Sequence, residues 1–171
     1  REGATLHFLR ALELKPHTAK AHNNLGVLLA QEGNWEGAIE HFQAAIRWGA
    51  PYLGIRTNLG RVYAKQQRWT LAIEQFQATL NALPDDARTH DALANAYLQF
   101  QRPEEAIPHF KKTLELEPTS LQTYNNLGLA YLQLKRWDPA IEAFGAALQL
   151  HPDFADAQKN LDRAIRLRPK P

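Results

Sequence analysis

Asparagine recurs in this sequence where a helix would not choose it. Asn24, Asn58, Asn126 and Asn160 fall on one register of 34 residues, with Ala92 as the interruption. Asn23 and Asn125 precede two of them, Asp91 precedes the interruption, and Asn95 follows it. Asn costs a helix interior ~0.5–0.7 kcal/mol relative to Ala, so its return in four of five places asks for a reason. A side-chain amide carries one acceptor and two donors, and can pair with a peptide backbone whatever that peptide's sequence. It can equally bond to the main chain of a neighbouring segment of its own protein. The sequence leaves both open.

The other reactive residue types do not assemble into a catalytic pattern. Cysteine is absent, which excludes disulfides, thiolate zinc sites and Cys nucleophiles. His7, His41 and His109 share one place in the 34-residue frame but stand one or more frames apart. That is too far for shared metal bonds of ~2.0–2.1 Å. No nucleophile–base pairing, phosphate loop or carboxylate dyad stands out. Neither catalysis nor a cofactor or metal is expected. Trp35, Trp69 and Trp137 also share one place, at the start of a helix, and read as packing residues.

Composition narrows the class. The 171 residues are 44% hydrophobic and 22% charged, the balance of a globular chain. The net charge of +2 is too weak a field to argue for nucleic acid. No apolar run approaches the ~18 residues of a membrane span, so no direct membrane insertion is expected. A soluble domain, cytoplasmic rather than periplasmic, is the expectation for its location.

The elements that position these residues come from the same 34-residue frame. Ala19–Tyr52, Leu53–Asp86, Ala87–Ser120 and Leu121–Phe154 align without insertion or deletion. Leu25, Leu59, Leu93 and Leu127 share one column. Gly26, Gly60, Ala94 and Gly128 share the next, and Leu29, Tyr63, Tyr97 and Tyr131 lie one turn on. Ala38, Ala72, Ala106 and Ala140 form a second small column, followed by Phe42, Phe76, Phe110 and Phe144. Apolar residues at these intervals make two helical stripes per block. The small columns let the two helices approach, and Pro84, Pro118 and Pro152 close their blocks. Helices are expected near 1–14, 19–32, 35–48, 53–66, 69–82, 87–100, 103–116, 121–134, 137–150 and 155–168. Pro108 should kink its helix mildly, and Gly49 with Pro51 should make the first junction irregular.

These columns resemble the tetratricopeptide-repeat (TPR) consensus. The resemblance implies an all-α fold, a right-handed superhelix or α-solenoid of antiparallel helix pairs. The expected organisation is the second helix of a truncated preceding repeat over 1–18, repeats over 19–52, 53–86, 87–120 and 121–154, a polar capping helix over 155–168 and a tail over 169–171. On that reading the chain is a piece of a longer protein, cut at its N-terminal side and naturally ended at its C-terminal side. The exposed edge at Leu6, Phe8, Leu9 and Leu12 could pair with a second copy.

In such folds the first helix of each pair lines a concave groove that holds a peptide or partner helix. The resemblance then places Asn23, Asn24, Asn58, Arg61, Lys65, Arg88, Asn95, Asn125, Asn126, Lys159 and Asn160 on the groove as candidate peptide-binding residues. Lys20, Arg163 and Arg166 add further positive charge, opposed by Asp91 and Asp156, and the balance favours a polar or acidic ligand segment. The asparagine series is similar to the one lining the TPR arm of O-linked N-acetylglucosamine transferases. Chaperone-binding TPR domains instead hold a terminal carboxylate with a fixed Lys/Asn/Asn/Lys/Arg clamp. Here those places carry Asn23, Val27, Asn58, Arg88 and Ala92, or one repeat later Thr57, Arg61, Ala92, Gln122 and Asn126, and neither set forms it. The expected function is a non-catalytic protein–protein interaction scaffold. The alternatives are a substrate-presenting arm of a larger enzyme, such as a glycosyltransferase, or a self-assembling module.

Overall fold

A computed structural model of the chain describes residues 12–49 and 54–169, with Phe8 and Arg10 placed as well. Nine bounded helices follow one another among the described residues: α1 (Ala19–Gln31), α2 (Trp35–Arg47), α3 (Gly54–Lys65), α4 (Trp69–Ala82), α5 (Ala87–Gln99), α6 (Pro103–Leu116), α7 (Leu121–Gln133), α8 (Trp137–Leu150) and α9 (Ala155–Leu167). They group into two compact units, one ending at Pro84 and the other starting at Asp85. In the first, α1 pairs with α2, α3 pairs with α4, and α3 stacks on α2. In the second, α5 pairs with α6 and α7 with α8, α7 stacks on α6, and α9 packs on α8 and α7. Each unit is thus an α-solenoid segment of stacked helix pairs. None of the described helices is long and apolar enough to cross a membrane.

The turn inside each pair repeats with the sequence frame. Gly33, Gln67, Gln101 and Lys135 occupy the left-handed region, with φ of 79°, 58°, 60° and 56°. The next residue's N–H reaches back to the carbonyl five positions earlier: Asn34 to Leu29, Arg68 to Tyr63, Arg102 to Tyr97 and Arg136 to Tyr131, each at 2.9 Å. This closes the helix carbonyls that would otherwise be left open. Only the first turn uses glycine for the left-handed residue. It is also the one whose second helix has a side-chain cap, Asn34 accepting from the Gly37 N–H. In the next two turns an arginine replaces the cap and lies over the tyrosine before it, Arg68 over Tyr63 at 4.8 Å and Arg102 over Tyr97 at 5.1 Å.

The core is the phenylalanine column. Phe42, Phe76, Phe110 and Phe144 are at most 1% exposed, each worth ~1.5–3 kcal/mol of burial. A Cβ on Gly60 would stand 2.6 Å from the Phe76 ring, and one on Gly128 would collide with Phe144. In the α1–α2, α3–α4 and α7–α8 pairs the backbone of the first helix approaches the ring so closely that only a glycine fits, while α5–α6 accommodates Ala94 at the same place. Pro108 does not interrupt α6, which runs unbroken from Pro103 to Leu116. The expected irregularity around Gly49 and Pro51 falls on residues 50–53, outside the described residues. The candidate self-association edge also falls largely outside them; of its residues, Phe8 and Leu12 are helical and half-buried.

Candidate functional site

Within each unit, first helices of adjacent pairs lie side by side, and a cleft opens between them. In the first unit, α1 and α3 bound a cleft of about 310 Å³. Its floor is Val27, Ala30, Trp35, Phe42 and Val62, and its rim is Gln31, Asn58, Arg61 and Lys65. In the second unit, α5, α7 and α9 bound a cleft of about 350 Å³. Its wall is Leu98, Leu129, Leu132, Trp137 and Leu167, with Gln99, Gln133, Lys135 and Arg163 at its edge. Val27, Ala30, Gln31 and Trp35 line the first cleft at the places that Leu129, Leu132, Gln133 and Trp137 hold in the second, and Arg61 and Arg163 share a place.

Some of these residues follow from the repeat frame and others do not. Asn58, Arg61 and Lys65 come together on one cleft rim, with Arg61 and Lys65 exposed. Arg88 and Lys159 are exposed but line neither cleft. Trp35 and Trp137, read as packing residues, each line a cleft. A recurring tryptophan on a half-buried face was the available signal, because packing and ligand contact use the same ring.

The asparagines divide between the units. In the second, Asn160 donates from Nδ2 to Asn125 Oδ1 at 2.8 Å, linking α9 to α7. Asn126 donates to Asn95 Oδ1 at 2.8 Å, linking α7 to α5. Asn95 in turn donates to the main-chain carbonyl and Oδ2 of Asp91, at 2.8 and 2.9 Å. Asp91 Oδ1 accepts from Thr123 Oγ1 at 2.9 Å, and Gln122 donates to Asn126 Oδ1 at 3.1 Å. These amides hold neighbouring first helices together side chain to side chain, and Asn125 is only 3% exposed.

In the first unit the same places carry Asn23 and Asn58, the counterparts of Asn125 and Asn160. Here the bond between them is not made. Asn23 Nδ2 reaches only Asn24 Oδ1, at 3.4 Å. Its Oδ1 is buried without a donor among the described residues. Asn58 makes no side-chain hydrogen bond among them and stands half-buried on the cleft rim.

Comparison with known proteins agrees with this architecture. Models described as Tetratricopeptide repeat match residues 2–51, 51–119 and 121–154. Among solved structures, YrrB, described as a TPR protein with an unusual peptide-binding site, is 23% identical; the match covers 92% of this chain and 81% of that one, with a TM-score of 0.84. A crystal structure of MamA is 22% identical over 90% of each chain, with a TM-score of 0.85. MamA from Desulfovibrio magneticus RS-1 gives 22% identity, 90% and 86% coverage, and a TM-score of 0.84. At these identities the likeness is one of fold. No curated protein matches the sequence. With repeat models spanning it from residue 2 to residue 154 and helix pairs at the matching positions, the chain belongs to the tetratricopeptide-repeat family.

Proposed function

We propose that this chain is a non-catalytic protein–protein interaction scaffold that seats an extended peptide on its first helices. Its principal contact is the α1–α3 cleft. The carrying observation is the rim of that cleft: an amide and two cations, Asn58, Arg61 and Lys65, none with a hydrogen-bond or ion-pair partner among the described residues, above an apolar floor. Such a mouth favours an apolar side chain flanked by carboxylates. The floor gains from dehydration, while the cations steer the acidic flank and make binding salt-sensitive. Asn58 is free to bond to the peptide's main chain. YrrB, similar in fold, is described as having a peptide-binding site, which supports a peptide as the class of ligand.

The arm-of-an-enzyme alternative asks the whole asparagine series to grip a substrate backbone. Asn58 meets that requirement. Asn95, Asn125, Asn126 and Asn160 have their amides engaged with one another or with Asp91, so the scaffold reading needs less rearrangement.

A displayed peptide library selected on the chain, followed by fluorescence anisotropy with a selected peptide, tests the proposal. Arg61→Glu/Lys65→Glu should weaken binding at least about tenfold, or ~1.4 kcal/mol, with the melting temperature unchanged. Selected peptides that bind this variant as well as wild type would move the site elsewhere.

A further inference from the structure

Four histidines that the proposed function does not use are paired, and the pairs sit at equivalent places. His22 on α1 and His41 on α2 face each other with Nδ1 atoms 2.8 Å apart. His90 on α5 and His109 on α6 repeat this at 2.9 Å. In each pair the ring centroids are 5.1 Å apart. The pair between them in the frame is different: on α3 and α4, Arg56 donates to Gln75 Oε1 at 3.1 Å. The same place is therefore a cross-helix polar contact in three successive helix pairs, and in two of them it is built from titratable groups.

We propose that His22–His41 and His90–His109 are acid-released clasps, which join the helices of their pairs near neutral pH and part when both rings carry a proton. An Nδ1–Nδ1 contact under 3 Å needs one proton between the two nitrogens, one ring donating and the other accepting. The first pair fixes which. His22 Nε2 lies 2.9 Å from the Pro16 carbonyl, which can only accept, so Nε2 carries hydrogen. A neutral His22 then presents a bare Nδ1, and His41 donates from its own. One added proton is tolerated: His22 becomes the donor and His41 shifts its hydrogen to Nε2. The second puts two N–H groups and two positive charges face to face, and the contact fails. No group of three or more potential metal ligands occurs among the described residues, so the pair is a proton-sharing contact rather than part of a metal site.

The surroundings favour the neutral forms. Burial, and then the charge of His22, hold His41 below the ordinary histidine value; Glu40 acts in the opposite sense. Burial, and then His90, do the same to His109, against which Tyr97 stacks. Three charged side chains of these and the stacked helices are engaged elsewhere: Arg56 on α3 donates to Gln75, Glu36 on α2 accepts from Gln66, and Asp91 on α5 accepts from Asn95 and Thr123. Histidines whose folded value lies below the unfolded one add stability that is full above the unfolded value of about 6.5 and is lost as pH falls through the folded value, because the unfolded chain takes the proton more readily. Acidification from neutral pH towards 5 should loosen α1–α2 and α5–α6 and leave α3–α4 closed.

The test copies the protein's own pH-insensitive solution into both places: His22→Arg/His41→Gln with His90→Arg/His109→Gln. Melting curves at about pH 7.5 and 5 should show wild type losing several degrees more than the variant. Imidazole nitrogen NMR on wild type should show each pair titrating in two separated steps. Amide exchange in α1–α2 and α5–α6 should quicken at the lower step. Equal loss in wild type and variant, or four rings titrating independently near the ordinary value, overturns the proposal. Should the variant not fold, the wild-type titration decides alone.

Discussion

Asn23–Asn58 in the first unit and Asn125–Asn160 in the second are the same two residues at the same places, yet only the second pair is bonded. The second unit uses these side-chain amides to join α5, α7 and α9. The first leaves Asn58 beside an apolar cleft with Arg61 and Lys65, none of the three having a hydrogen-bond or ion-pair partner among the described residues. The difference teaches that a repeated polar column is a capacity rather than a role. Whether an amide serves the fold or a ligand depends on what stands 3 Å away.

The largest expected effects lie where the units should not differ. Phe76→Ala and Phe144→Ala each remove a fully buried ring from the same place, and each should cost ~3–5 kcal/mol. Urea denaturation of the two variants should give similar losses; a much smaller loss in one unit would break the premise that both share one core design. The amides should then separate the units. Asn125→Ala leaves the Asn160 donor without its acceptor and should cost ~1–3 kcal/mol. Asn58→Ala should stay within about 0.5 kcal/mol of wild type, or gain slightly from helix propensity. Equal losses at these two positions would remove the distinction. The smallest effect is again shared. Gln67→Gly and Lys135→Gly relieve a left-handed residue worth ~1–2 kcal/mol, less ~0.4–1 kcal/mol of added unfolded-chain entropy. A net gain of about 0.5 kcal/mol is expected at both, and thermal melts would reveal a loss at either.

The helices were legible because their signals are local. A stripe of apolar residues, a small column facing a phenylalanine column and a proline at each block's end depend only on spacing along the chain, and α1 to α9 begin and end within a residue of the expected bounds. The cations of the first cleft were legible for the same reason: Arg61 and Lys65 are four apart on one helix and must share a face. Three things were not. Trp35 and Trp137 turned out to line clefts, and a ring's exposed fraction is set by the neighbouring pair rather than by its own block. His41 and His109 share one column of the frame, whereas their partners His22 and His90 stand in another column, on the facing helix. The asparagines look alike, and only the packing of first helices decides that Asn126 bonds to Asn95 while Asn58 makes no side-chain hydrogen bond among the described residues.

The sequence by itself thus determined the helix pairs, their glycine–phenylalanine contacts and the family, since each is written in residue type at fixed intervals. The tertiary structure alone decided which polar side chains are partners. A hydrogen bond is made or lost over less than an ångström, and no spacing along a chain carries that distance.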